Sequence, residues 1–505
     1  MKNYFLLFVL AFFAVSCSKK IDVKGNFAGG SPLERVEFID ASSVATLPLV
    51  NLGLDEKGNF SGSFDAPKDG MYVMSYAGKQ ALVYLKAGQE FHISGQAAAF
   101  PNQYTVTGDA KKNNDFIRQS TDFFQKYATK INMGELIMKD EAVFLKEIEK
   151  IRTDIFKDMD AKAKTNGADS DVVQYMKDQL NASLLTLMTQ YENLYPQATN
   201  NPSFKVSQKF RDAVTEMEKG SDRMVENLAV YRNYLFTKLA PDYQKFDQAN
   251  NKDGKQIPAE VYSKFLDTRK ELSQKTKDYL LAFVLTQTVL HPNADPAELP
   301  KATKIIDEKI KDAGMKKSLQ NVHFIVTGPK IGEAAPTAKL IKADGKEFSF
   351  TELKGKPAII MFYASWNPYI AEGTVPVVKE VVNFYKEKMN FVYVNLDDTK
   401  EQFAKTSSAL MKGIDGHNVY AEGGMSSDMA KKYGIYGFKI PSFIAIDKDG
   451  KIASRFYFNL GEQEIVEVMD KLTGLKAPSV APEATLQNDW LAPEDAPLPN
   501  EGQKP

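Results

Sequence analysis

The sequence predicts a multidomain α+β chain: an N-terminal antiparallel β-sandwich, a central all-α helical region and a C-terminal α/β domain. Three observations carry that expectation. Residues 18–108 hold short β-branched and aromatic runs divided by turn residues, residues 109–326 carry apolar side chains at helical spacing, and residues 331–475 alternate strand-like and helix-like segments. At 505 residues the chain has room for about three domains.

In the first region, "GNFSGSFDAPKDGMYVMSY" and "ALVYLKAGQEFHISG" are broken by Gly-Asn, Asp-Gly and Ala-Gly turn signals. Phe91 with Ile93, and Tyr104 with Val106, fall two residues apart, so each pair lies on one face of a strand. In the second region, Phe144, Ile148, Ile151, Ile155 and Met159 form one stripe of a 3.6-residue period, and Val172, Met176, Leu180, Leu184 and Leu187 form another. The densest apolar segment, "YLLAFVLTQTVL", runs from Tyr279 to Leu290, stops at His291-Pro292, and reads as the central buried helix. "TGPKIGEAAP" (Thr327 to Pro336) is a Gly/Pro-rich boundary.

Beyond it, "TAKLIK" and "KEFSF" read as a hairpin across "ADG". "PAIIMFYAS" is a continuous apolar run, as a strand buried on both faces requires. A helix, a strand, a second helix and strand, a short helix, a β-hairpin turning at Asp-Gly and a terminal helix follow. Residues 476–505 hold six prolines and little to bury, and read as a disordered tail.

Composition excludes several function classes. Lys plus Arg (64) and Asp plus Glu (65) nearly cancel, so no global field favours nucleic acid. The four histidines, His92, His291, His323 and His417, lie far apart and at no metal-ligand spacing, so neither a metal nor a cofactor is expected. The single cysteine, Cys17, ends "MKNYFLLFVLAFFAVSC": a basic start at Lys2, an apolar run from Tyr4 to Val15, and small Ser16. That run is short of the roughly 20 residues of a membrane span and reads as an export signal. "AVSC" resembles the lipobox of bacterial lipoproteins, which implies that residues 1–17 are a signal peptide with lipidation at Cys17, and that the lipid holds the chain to a membrane. Ser18 in place of an aspartate, followed by Lys19 and Lys20, points to the periplasmic face of the outer membrane. Lipidation would use the only thiol in the sequence.

"FYASWNPYIAEG" decides the functional expectation. Residues 331–475 resemble the thioredoxin superfamily, specifically TlpA-like, membrane-anchored thiol–disulfide reductases. "GKPAIIMFYASW" is similar to their strand-to-active-site segment, and "YGIYGFKIPSFIAIDKDGKI" to the segment carrying their cis-proline, here Ile440-Pro441. The order of β-rich start, helical middle and thioredoxin-like end resembles lipoproteins of Bacteroidota. The resemblance implies Trp-Cys-x-x-Cys chemistry: a thiolate at a helix N-terminus attacks a substrate disulfide, and the second sulfur resolves the mixed disulfide.

Here the motif reads Trp366-Asn367-Pro368-Tyr369-Ile370, with Met361 where thioredoxins keep a buried acid and Pro376 one residue later than the family pattern. Neither Asn nor Ile can act as a sulfur nucleophile. The first expectation is therefore a redox-inactive, lipid-anchored envelope protein with no catalytic residue, binding a protein partner through an apolar groove of Trp366, Tyr369, Ile370, Ile440 and Pro441 by strand addition. The second is a thiol–disulfide oxidoreductase of the thioredoxin/TlpA class, as the fold implies; the third is a nutrient- or glycan-binding lipoprotein. Asp397-Asp398 reads as a surface turn, because neighbouring side chains on a strand point to opposite faces.

Overall fold

Residues 19–478, apart from 46, 67, 253, 292–293, 354 and 458–459, are described by a computed structural model. The leader with Cys17, Ser18, and the tail beyond 478 lie outside the described residues.

The alternating N-terminal segments form eight strands: β1 (Lys19–Ala28), β2 (Arg35–Asp40), β3 (Val50–Gly53), β4 (Asn59–Ala66), β5 (Gly70–Tyr76), β6 (Lys79–Leu85), β7 (Phe91–Gln96) and β8 (Thr105–Thr107). They make two four-stranded sheets, ordered β4-β1-β7-β8 and β3-β2-β5-β6. Ile21, Val23 and Phe27 from the first sheet meet Val36, Phe38, Tyr72 and Met74 from the second in one core. The expectation of purely antiparallel pairing is corrected at one place, where β1 and β7 run parallel. The chain crosses to the other sheet and back between them, so no tight hairpin imposes opposite directions. Gly58, at φ +79°, is required at the turn before β4: a Cβ there would stand 2.1 Å from the Phe27 carbonyl oxygen.

The predicted stripes become the buried faces of two long helices. Phe144, Ile148, Ile151, Ile155 and Met159 are buried on the helix Glu141–Asn166, which ends at left-handed Gly167. Val172, Met176, Leu180, Leu184 and Leu187 are buried on the helix Ser170–Ala198. The apolar segment after Tyr279 lies on the helix Gln274–Thr288, which buries Leu280, Leu281 and Leu285. Arg232, 2% exposed, ties this region to the sheets. Its guanidinium donates to the carbonyls of Ser42 (3.3 Å) and Ser43 (3.1 Å) after β2, and to that of Val225 (2.9 Å) near the end of the helix Ser221–Asn227. Carbonyls at a helix C-terminus carry partial negative charge, which suits the cation.

The last region contains β9 (Leu340–Lys342), β10 (Glu347–Phe348), β11 (Ala358–Tyr363), β12 (Asn390–Asn395), β13 (His417–Tyr420), β14 (Ser442–Ile446) and β15 (Ile452–Tyr457), in one sheet ordered β10-β9-β13-β12-β11-β14-β15. β11, β12 and β13 are mutually parallel, and β14 and β15 antiparallel to their neighbours. Every residue of β11 is buried. Ala358, Ile360 and Phe362 face the core shared with the helix Asp428–Tyr433, while Ile359, Met361 and Tyr363 face the core shared with the helices Val375–Tyr385 and Gln463–Thr473. A strand covered on both sides needs no polar face, which explains its unbroken apolar run. Its C-terminal end delivers the chain to Trp366. Among the described residues no helix is long and apolar enough to cross a membrane.

Candidate functional site

The segment after β11 is pinned from below by a carboxylate. Asp397, fully buried, accepts hydrogen bonds from the Ser365 backbone N–H (2.6 Å), Asn395 Nδ2 (2.9 Å) and Thr406 Oγ1 (2.7 Å). This corrects the surface-turn expectation for Asp397: three donors converge on it and replace water. Asp398 does point elsewhere, and it remains partly exposed.

Asn367 joins the two loops of the site. Its Nδ2 donates to the Ile440 carbonyl at 2.7 Å, and its Oδ1 accepts from the Tyr369 N–H at 2.9 Å. The Ile440–Pro441 peptide is cis. The position where the resemblance implies a nucleophilic sulfur thus carries an amide satisfied on both ends, bridging the Trp366 turn to the proline loop.

Ile370 opens a π-turn, Ile370–Thr374, in which the N–H groups of Thr374 and Val375 reach back five residues to the carbonyls of Tyr369 and Ile370. A π-turn adds one residue to a helix. That insertion accounts for Pro376 falling one position late. Proline also presses on the preceding turn, so a widened turn directly before it is physically apt.

Trp366, Asn367, Ile440 and Pro441 are brought together; Tyr369 and Ile370 diverge from them. Ile370 (2% exposed) packs with Val378 and Val382 on one side of the sheet, whereas Ile440 (3% exposed) packs in the opposite core, where Trp366 also rests. Pro368 and Tyr369 are exposed. The expected open apolar groove is therefore corrected: Ile370, Ile440 and Pro441 are buried and cannot line it. The sheet divides the cores, and Ile370, the first residue of the π-turn, turns its side chain into the core of Val378 and Val382.

One site residue escaped the sequence reading entirely. Arg35 of β2 donates from Nη1 and Nη2 to both carboxylate oxygens of Asp398, at 2.6 and 2.8 Å, and from Nε to Asn51 Oδ1 of β3 at 2.6 Å. Its guanidinium carbon lies 4.5 Å from the Trp366 ring centroid. A planar fork suits both a bidentate carboxylate and an aromatic face. Nothing local in the sequence pairs residues 363 positions apart. Among the described residues no group accepts from the buried Trp366 Nε1.

Lys439, next to the proline loop and 3% exposed, donates from Nζ to the Ile325 carbonyl near the end of the helix Ala313–Thr327. Burial, reinforced by nearby Arg455, brings its pKa down from 10.5 to about 8. Below pH 8 the amine is charged in both the folded and unfolded chain. Between pH 8 and 10.5 only the unfolded chain holds the proton, so stability rises with pH through that window. Lys439→Met is expected to remove that rise, which for a shift of this size is on the order of 3 kcal/mol. Urea midpoints of both chains at pH 7.5, 9 and 10 check it; parallel curves would refute the burial argument. Among the described residues no group of three or more His, Cys, Asp and Glu side chains could hold a metal ion.

A mixed sheet of this order, with the Trp366 turn at the C-terminal end of the buried strand β11 and a cis-proline loop beside it, defines a thioredoxin-like domain. Residues 330–470 match the family model described as Redoxin. A thiol-disulfide oxidoreductase ResA of Bacillus thuringiensis is 25% identical over 154 residues, covering 28% of this chain and 79% of the relative. The chloroplastic thioredoxin-like protein HCF164 of Arabidopsis thaliana is 28% identical over 122 residues, covering 24% of this chain and 36% of that protein. Among solved structures, the thioredoxin domain of a thiol-disulfide oxidoreductase from Bacteroides vulgatus is 20% identical with a TM-score of 0.25, covering 29% of this chain and 99% of that one.

The Redoxin match and the ResA relative overturn the first functional expectation. The reading of a redox-inactive partner-binding lipoprotein, drawn from two positions, gives way to the second: the domain's relatives are thiol–disulfide oxidoreductases. At positions 367 and 370 this chain carries no sulfur.

Proposed function

We propose that this chain is a thiol–disulfide oxidoreductase of the thioredoxin/TlpA class, held at the cell envelope by a lipid on Cys17. The observation that carries the reading is the Redoxin match across residues 330–470, together with relatives that bear the oxidoreductase name. Positions 367 and 370 hold no sulfur, so the attacking thiolate is supplied by a small thiol co-substrate or a partner protein. That thiolate attacks one sulfur of the substrate disulfide, forming a mixed disulfide and releasing the other sulfur as thiolate. A second thiol attacks the mixed disulfide, and the products are an oxidised thiol pair and a reduced substrate. The domain's share is to hold the substrate segment near Trp366 and the backbone of the Ile440-Pro441 loop, which raises the effective concentration of the reacting sulfurs.

In this reading residues 18–108 form a β-sandwich, 109–326 a helical domain, 331–475 the thioredoxin-like domain and 476–505 a tail. The chain sits at the outer membrane facing the periplasm, where its protein substrates or partners are. The test is insulin reduction by glutathione, with and without the purified chain carrying Cys17→Ser. Acceleration of several-fold over glutathione alone is expected, since modest effective molarities suffice. A rate equal to that of glutathione alone would remove the proposal.

A further inference from the structure

Three groups of this chain already occupy the face on which a polypeptide segment would dock. Arg35 lies over the Trp366 ring while gripping Asp398 through both carboxylate oxygens. Asn367 takes the Ile440 carbonyl. The β2–β3 edge covers the approach to the proline loop at Gly437: a Cβ built there would stand 3.5 Å from Asn51 Nδ2, 3.9 Å from Trp366 Cη2 and 4.0 Å from Glu37 Oε1.

The closed face is also incomplete. The indole Nε1 beneath Arg35 has no acceptor among the described residues. At Gly437, where a Cβ would stand 3.9 Å from Trp366 Cη2, lies a cavity of about 130 Å³ lined from three regions of the chain by polar and apolar side chains together, among them Glu37, Leu49, Asn51, Phe324, Met425 and Tyr436. A buried donor that the described residues leave without a partner is a hydrogen bond that a docked segment can complete. A backbone carbonyl of an extended segment has the right chemistry to accept from that N–H.

We propose that Arg35 is a latch. Its fork on Asp398 holds the N-terminal sheet over Trp366, and the thioredoxin-like face admits a polypeptide segment only when that ion pair opens. Nε–Asn51 keeps the guanidinium aligned with its own sheet, so the arginine leaves with β2 and β3 when Asp398 lets go. The bond holding the two regions at this point is ionic, with 11% and 27% of the two side chains accessible, so salt screens it little, whereas a segment that brings its own charge to Asp398 can compete for it. This inference rests on the docking role assigned above to Trp366 and the proline loop.

Trp366 becomes the sole indole when Trp490→Phe is introduced, because the chain has two tryptophans. In that background, acrylamide quenching of Trp366 fluorescence reads the latch in the full chain. Arg35→Ala and Asp398→Asn are each expected to raise the quenching constant about two-fold, because each removes one half of the ion pair. Arg35→Lys should fall between parent and Arg35→Ala, since an ammonium cannot fork onto a carboxylate. Asp398→Asn retains the arginine, so a rise there reports opening and not the loss of a covering side chain; it also stands alone if Arg35→Ala fails to fold. Equal quenching in the parent and in Asp398→Asn overturns the latch. Quenching needs neither thiol nor disulfide, so that outcome leaves the oxidoreductase reading in place, and a failed insulin assay leaves the latch in place.

Discussion

Asn367→Cys combined with Ile370→Cys is expected to reduce insulin at least about tenfold faster than the unchanged chain, with dithiothreitol as the terminal reductant. The two positions are three apart at the turn that leads into the helix, the spacing of the Cys-x-x-Cys motif that the resemblance implies. A thiolate at 367 would face the helix N-terminus, whose dipole favours the anion. The same change removes the amide from the Ile440 carbonyl, leaving that oxygen available to an incoming strand. Ile370→Cys trims a buried side chain and should cost about 1–2 kcal/mol, well short of unfolding a domain of this size. Thiol titration before and after oxidation verifies that the pair closes. A folded double variant that closes its disulfide yet reduces insulin no faster than the parent would show that residue 367 is not presented to substrate.

Asp397→Ala is expected to produce the largest loss of stability near the site, about 4 kcal/mol. Three donors would lose a charged acceptor at once: the Ser365 N–H, the Asn395 amide and the Thr406 hydroxyl. The carboxylate is fully buried, and of the three donors the Thr406 hydroxyl has a second acceptor in the Gln402 carbonyl, so the loss falls on the other two. A fall in melting temperature of about 10 °C follows from a loss of that size. Asp397→Asn keeps one acceptor oxygen and should lose about half as much. Because Ser365 directly precedes Trp366, the alanine variant should also shift Trp366 emission, which a remote core substitution of equal cost would not do. Calorimetry with fluorescence separates the two effects; a melting temperature within a degree of the parent would show that Asp397 is not what holds the turn.

Much of the fold was legible because it is encoded locally. Side chains four and three apart from Phe144 to Met159 can share a face only on a helix, and the run from Ala358 to Tyr363 can be uniformly apolar only where both faces are covered. The Trp366 turn and the proline loop were legible as a resemblance in short contiguous strings. The parallel β1–β7 pair was not, since strand direction across a non-hairpin contact depends on the route of the intervening chain. The groove failed for a related reason: Ile370 and Ile440 read as one apolar set, and the sheet separates them.

By itself, then, the amino-acid order determined where strands and helices form, which positions lack sulfur and which segments resemble a thioredoxin-like site. Tertiary structure alone decided what that site touches. Arg35 meets Trp366 and Asp398, Asn367 meets Ile440, and Asp397 meets Ser365, because separately encoded elements pack into contact. Periodicity and turn chemistry act over a few residues, whereas a guanidinium finds a carboxylate 363 residues away only after two sheets have folded and met.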